Sequence, residues 1–361
     1  MLRRDLLKTS IVASLALAAL GPTRALAAVK PKRILVFGGT LFLGPPFVEA
    51  AIANGHSVTL FNRGVTNPEL FPEVEKLRGY RSPHPDDENL SALGRRRWDV
   101  VVDVWPNDPA LAESAARKLA DRTDHYIYVS SIGAYDIQDW VRPNLTEDAP
   151  LAPWNSNQRG YNRGKAESER RLSDIVGDKL TIVRPGAIKG RRDDTPDMYV
   201  WLKRLQDRDA VLAPGDGSTP VQIVDVRDVA DFMLLAVDRS VHGVFNVTGK
   251  EVSFRDFLEA CRSATHSSGE FVWVPQAFLE KQGPQDWRRD YPYFAPLSDK
   301  PNFFRISTQK ARAVGWESRP LRYTAMESLA YFGGLENFQF HDPIPADQQD
   351  ALLTKWRQAR T

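Results

Sequence analysis

Tyr161 and Lys165 stand four residues apart in a charged stretch, and the pair Ser130-Ser131 closes an apolar run earlier in the chain. A spacing of four puts Tyr161 and Lys165 on one face of a helix. An ammonium beside a phenol favours the tyrosinate and lowers the tyrosine pKa. Tyr161 could then remove or return a hydroxyl proton near neutral pH. A serine hydroxyl opposite would hold the same oxygen. This is acid–base chemistry on an alcohol.

A second stretch, Arg33-Ile-Leu-Val-Phe-Gly-Gly-Thr-Leu-Phe-Leu-Gly44, supplies the other half of such a reaction. The run Ile34 to Phe37 reads as a buried strand. It breaks at Gly38-Gly39, passes Thr40, and resumes in an apolar helix from Gly44 to Ala53. Strand, glycine turn and helix open a dinucleotide-binding βαβ unit. The helix amides near Phe42 and Leu43 would point at a pyrophosphate. Gly38 and Gly44 hold the outer glycine positions, while Leu41 holds the middle one and should limit how closely a phosphate approaches. Lys165 could bond the nicotinamide ribose. At the end of the next strand an acid would select NAD. The chain has Asn62-Arg63 instead, and Arg63 could pair with a 2′-phosphate or lie over the adenine. The cofactor expected is NAD(P), with NADP slightly favoured.

The elements that position these residues alternate. Strands are expected at Ser57–Phe61, within Arg97–Asp103, at His125–Ser130, Leu180–Pro185, Val221–Val224, Gly243–Thr248 and Glu270–Val274. Helices are expected at Pro109–Ala120, Tyr161–Asp174, Met198–Gln206, Asp228–Asp238 and Ser253–Ala264, and Thr66–Gly79 reads as polar and partly helical. Such alternation predicts an α/β fold, a Rossmann-type doubly wound parallel sheet covered on both faces. A smaller substrate lobe would come mainly from residues 186–220 and 250–332, with 333–361 a C-terminal tail. The Pro-, Trp- and Tyr-rich segment from Pro275 to Pro301 reads as an ordered cap.

Together, Gly38-Gly-Thr-Leu-Phe-Leu-Gly44, Ser130-Ser131, Tyr161-x-x-x-Lys165 with Glu169, Arg184-Pro185-Gly186, Val224-Asp-Val-Arg-Asp-Val229, Ser307-Thr-Gln-Lys310 and Gly315-Trp316 resemble an extended short-chain dehydrogenase/reductase of the NAD-dependent epimerase/dehydratase family. The resemblance runs from about residue 33 to 332. It implies that Ser131 is the catalytic serine, with Ser130 its neighbour, Tyr161 the base and Lys165 its helper. Arg184-Pro185-Gly186 would line the nicotinamide end, and Asp225 to Val229 would open a helix that closes over the substrate. Asp103-Val-Trp105 stands where the family has a small-residue turn beside the cofactor. Leu41 and the missing acid at Asn62-Arg63 are further departures, of a kind found in atypical members that bind RNA or do not catalyse.

The N-terminus reads as an export signal. Arg3-Arg4-Asp5-Leu6-Leu7-Lys8 precedes an apolar run from Ile11 to Leu20, and Ala25-Leu26-Ala27 offers a cleavage site. The run is short for a bilayer span, and the paired arginines resemble a twin-arginine signal. A periplasmic or exported protein without a stable membrane anchor is expected. Removing residues 1–27 takes Arg3, Arg4, Lys8 and Arg24 from 48 basic residues and Asp5 from 46 acidic ones, so the net charge moves from +2 to −1. That balance argues against nucleic acid as a partner. The single cysteine, Cys261, permits no intramolecular disulfide, which suits folding in a reducing compartment before export. The six histidines show no metal-ligand spacing, and no metal is expected.

The expected function is an exported NAD(P)-dependent oxidoreductase or epimerase/dehydratase acting on a small molecule of sugar or polyol type. The alternative is a catalytically silent binding protein that keeps the fold. Trp154, Trp201 and Trp287 could stack on a sugar ring or simply pack. Glu167, Glu169, Arg170 and Arg171 read as a solvated helix face. A homodimer stays open.

Overall fold

The computed structural model describes residues 30–82, 88–104, 108–136, 142–157, 160–195, 197–283, 305–336, 338 and 342–360. The proposed export signal, Trp105, Trp287 and most of the cap segment lie outside the described residues.

Apart from the polar edge strand Glu75–Arg78, the sheet is built from largely buried, mostly apolar strands. In β1 (Arg33–Phe37), Ile34, Leu35 and Val36 are fully buried, each burial contributing roughly 1.5–3 kcal/mol. With β2 (Ser57–Asn62), β3 (Glu75–Arg78), β4 (Trp98–Asp103), β5 (Thr123–Val129), β6 (Leu180–Pro185) and β11 (Gly243–Val247) it forms one seven-stranded sheet in the order β11-β6-β5-β4-β1-β2-β3. Every pairing is parallel. The order reverses direction between β1 and β4. In such sheets the crevice outside the carboxyl ends at that point receives the ligand.

Helices α1 (Gly44–Ala53) and α5 (Val226–Arg239) cover one face with Phe47, Val48, Ala51, Val229, Phe232 and Met233. Helices α2 (Pro109–Leu119) and α3 (Tyr161–Val176) cover the other. The small residues Ala112, Ala115 and Ala116 are fully buried in this second core.

The remaining elements form a lobe with its own core. They are β7 (Ala187–Lys189), α4 (Asp197–Asp207), β8 (Ala210–Pro214), β9 (Pro220–Val221), β10 (Ile223–Asp225), β12 (Val252–Ser253), α6 (Phe254–Thr265), β13 (Glu270–Val274), α7 (Gln276–Glu280), α8 (Gln309–Ala313), α9 (Leu321–Gly333) and α10 (Ala346–Gln358). Trp201, Phe254, Phe257 and Cys261 are fully buried there, so Trp201 packs and cannot meet a sugar. Ile344, Leu352 and Leu353 join the same core. The segment 333–361, read as a tail from sequence, therefore carries a helix that completes the lobe.

Two other expectations change. Thr66–Gly79 contains the edge strand β3 rather than a helix: its partly exposed residues lack an apolar run, and the pairing with β2 fixes it. The strand read at Val221–Val224 is split at Gln222. That buried side chain accepts from the Ile306 amide at 2.9 Å and donates to the Ile306 carbonyl at 2.9 Å.

Candidate active site

The glycine turn is built as its residues require. Gly38 and Gly39 have φ of +99° and +91°, a region that costs a side-chain-bearing residue strain. A Cβ on Gly44 would lie 2.5 Å from the Gly39 backbone, so only glycine lets α1 approach the turn this closely. Pro45 and Pro46 occupy the start of α1 and carry no N–H. The Gly44 amide is bonded to the Leu41 carbonyl at 3.0 Å. The amides of Phe42 and Leu43 are therefore what this helix start can offer an anion. Thr40 and Leu43 are buried, whereas Leu41 is 51% exposed at the rim. The tight turn and the helix N-terminus fit a dinucleotide pyrophosphate, with Leu41 narrowing the approach.

At the end of β2, Asn62 is engaged by its own surroundings. Its amide donates to the Gly38 carbonyl at 3.2 Å, and its side-chain oxygen accepts from Arg78 at 2.7 Å and the Gly64 amide at 3.0 Å. Asn62 shapes the rim and is not free to read a ribose. Arg63, beside it, is exposed.

Ser131 ends β5 and begins a short turn, Ile132–Ala134, whose Gly133 amide donates to the Ser131 hydroxyl at 3.0 Å. Gly133 lies against Asn162 at the start of α3, where a Cβ would meet the Asn162 side chain at 2.6 Å. This contact holds the turn that carries Ser131 against the start of α3, near Tyr161. The Tyr161 ring is 48% exposed. Burial around its hydroxyl raises the phenol pKa, and the Ser131 side chain opposes that.

Lys165 lies one turn on and is buried, donating to the Val129 carbonyl at 2.7 Å. Its Nζ is 5.7 Å from the Tyr161 ring centroid and 5.1 Å from that of Tyr128. Burial lowers its pKa to about 8, with Asp103 and Glu169 opposing. The geometry corrects one expectation: Tyr161 is not drawn down, because burial at its hydroxyl dominates. What Lys165 supplies is a buried ammonium beneath the Ser131–Tyr161 pair.

Two features were missed in the sequence. Arg81, from the loop after β3, reaches Asp103 at the end of β4 with bonds of 2.8 and 2.7 Å. Its guanidinium lies 4.2 Å from the centroid of the Phe37 ring, and Tyr126 donates to the same carboxylate at 3.1 Å. Asp103 is therefore a buried, paired acid at the switch point. Glu169 is also buried, against the expectation of a solvated face. It accepts from Arg184 at 2.6, 3.0 and 3.2 Å. Arg184 thus turns into the protein and supports α3 from β6, and Pro185 is left at the strand end. The helical spacing of Lys165 and Glu169 was the available signal. Ser130, expected at the cofactor, is buried just past β5, its amide donating to the Val183 carbonyl at 2.7 Å. Among the described residues its hydroxyl finds no partner, as does that of Thr248 beyond β11. Unmet polar atoms at the carboxyl end of the sheet suit a polar cofactor end.

Residues 108–248 match the model of the NAD dependent epimerase/dehydratase family. Over 303 residues the chain is 28% identical to the chloroplast stem-loop binding protein of 41 kDa b from Arabidopsis thaliana, covering 79% of this chain and 75% of that one. The fold is shared with the Bordetella bronchiseptica enzyme WbmG in complex with NAD, at a TM-score of 0.61 and 18% identity over 87% of this chain and 96% of that one. It is shared too with the UDP-glucose 4-epimerase of Thermotoga maritima with UDP-glucose, at 0.58 and 21% over 83% and 98%. The family likeness is thus carried by residues 108–248, and the solved structures share the fold.

Proposed function

We propose that this protein is an exported NAD(P)-dependent epimerase- or dehydratase-like oxidoreductase that acts on a carbohydrate or polyol and returns the hydride to the same molecule. The observation that carries this reading is the placement of Ser131 and Tyr161 beside the buried Lys165 at the carboxyl end of a parallel sheet. When bound, the nicotinamide would supply hydride acceptance and return. Gly38, Gly39, Phe42, Leu43 and Gly44 would hold its pyrophosphate, and Ser130, Lys165 and Pro185 its nicotinamide end. Ser131 would hold the reacting oxygen, and Tyr161 would take its proton and give it back. Lys165 would stabilise the tyrosinate formed in that step, because an ammonium favours the charged phenolate. Internal return of the hydride suits export, where no free cofactor pool is expected. The NAD-bound and UDP-glucose-bound relatives support the cofactor and substrate classes by analogy of fold.

The test is to denature the purified protein, analyse the released small molecules by mass spectrometry, and titrate the protein with NAD and NADP. Released nucleotide, or binding on titration, is expected. Tyr161→Phe should keep the fold and the cofactor and lose roughly 10²–10⁴ in rate. No nucleotide and no binding would remove the enzyme reading. The second reading, a binding protein on this fold, is favoured by the likeness to the Arabidopsis stem-loop binding protein and by Leu41 at the rim.

A further inference from the structure

A cavity of about 420 Å³ opens beside Tyr161, between the start of α2 and the first turns of α3. Asp108, Ala110, Trp154, Gly160, Gly164 and Arg171 are among its walls. It exists because small residues face one another: Gly164 on α3 has no side chain, and Ala110 on α2 has only a methyl. Tyr161, Gly164 and Arg171 lie on one face of α3 and line the cavity from that side. Its volume falls in the range of ~300–1,000 Å³ typical of ligand sites.

We propose that this groove is a subsite for the uncharged sugar units of a glycoside whose reacting ring sits at Tyr161. The proposal rests on the reading of Tyr161 as proton carrier and narrows its substrate class. Size is the first argument, since about 420 Å³ is more than one pyranose ring fills. The wall is the second: Trp154 is half-buried and offers an aromatic surface with a polar handle. Charge is the third. The Arg171 guanidinium is 6.0 Å from the Trp154 ring, yet Glu113 and Glu167 each hold it at 2.9 Å. Asp108 adds a further acid, one oxygen capping α2 through the Ala110 amide at 2.9 Å. A diphosphate would have to win Arg171 from two carboxylates and sit near a third. A neutral polyhydroxylated chain meets no such penalty, and carboxylate oxygens accept from its hydroxyls.

The experiment follows the nine tryptophan indole N–H resonances of the full-length protein, with Trp154→Phe assigning the one that belongs to Trp154. Cellobiose, maltose and N,N′-diacetylchitobiose are titrated, with UDP-glucose as the charged comparison. At least one neutral disaccharide should shift the Trp154 resonance, and UDP-glucose should not. Gly160 has extended backbone, φ −169°, and open space where a Cβ would be built, so Gly160→Leu should fold normally. It should weaken the disaccharide by roughly fivefold or more, the scale of one lost ring contact. No shift with any disaccharide would overturn the proposal, as would an equal shift with UDP-glucose. A disaccharide shift that persists in Tyr161→Phe, with no turnover by the native protein, would remove the catalytic reading and support the subsite.

Discussion

Arg81 grips Asp103 through two bonds of 2.8 and 2.7 Å, and the two charges act on Lys165 with opposite sign. The Asp103 charge raises the Lys165 pKa and the Arg81 charge lowers it. Burial outweighs both and leaves it at about 8. If Tyr161 needs the ammonium beneath it, turnover falls as pH rises through about 8. Asp103→Asn should move that fall to lower pH, and Arg81→Met to higher pH. Arg81→Met leaves a buried carboxylate unpaired, at about 3–5 kcal/mol, so it should be assayed where circular dichroism shows the native fold. Stability should follow the same group. The folded pKa lies below the ordinary 10.5, so burying the ammonium destabilises the fold below pH 8. That penalty is relieved between about 8 and 10.5. pH–rate profiles that move the same way in both variants would sink the assignment.

The strands β1, β4, β5 and β6 were legible because each is an unbroken apolar run between turn residues. The Tyr161–Lys165 pair was legible because helical spacing is local. Arg81 was not, since its partner lies on another strand and only the sheet order brings them together. Glu169 was misread for a related reason: a charged residue in a charged helix looks solvated until its partner on β6 is known. The edge strand β3 carried no signal in its own sequence, because its stability comes from pairing with β2. The Trp154 groove depends on small residues, and the absence of side chains leaves no motif.

Gly44 should tolerate no side chain. Its Cβ would strike the Gly39 carbonyl carbon and Cα at 2.5 Å, and these are backbone atoms that cannot rotate away. Gly44→Ala should cost about 1–3 kcal/mol, as overpacking does, and should weaken dinucleotide binding more than it lowers the melting temperature. Calorimetry with and without NAD(P) measures both. An alanine variant that binds as the native protein does would show that the turn is not the cofactor site.

The Arg184–Glu169 pair should behave as a buried ion pair. Arg184 also donates to the Glu147 carbonyl at 2.9 Å and lies 4.7 Å from the Tyr135 ring centroid. Glu169→Gln alone strands a buried guanidinium and should cost about 3–5 kcal/mol. Glu169→Leu with Arg184→Met removes both charges and should recover much of that loss. Urea denaturation of the three proteins gives the comparison. A double variant no more stable than Glu169→Gln would mean that the pair's shape, rather than its charge balance, holds α3 to β6.

The cofactor choice turns on Arg63. The neighbouring Asn62 is spent on Gly38, Gly64 and Arg78, so Arg63 is the exposed group at the end of β2 that could meet a 2′-phosphate. A charge-assisted hydrogen bond of this kind contributes about 1.5–3 kcal/mol, or roughly ten- to hundredfold in affinity. The native protein should therefore bind NADP more tightly than NAD. Arg63→Ala should lose that margin through NADP alone, with NAD affinity unchanged because no 2′-phosphate is present to lose its partner. Arg63→Lys should recover part of it, since a point charge replaces the planar fork. Titration of the apoprotein with each nucleotide reads the two affinities separately. Equal affinities in the native protein, unchanged by Arg63→Ala, would show that Arg63 does not read the phosphate. An NADP preference that survives Arg63→Ala would instead have to be sought in Arg78, which already reaches the same rim through Asn62.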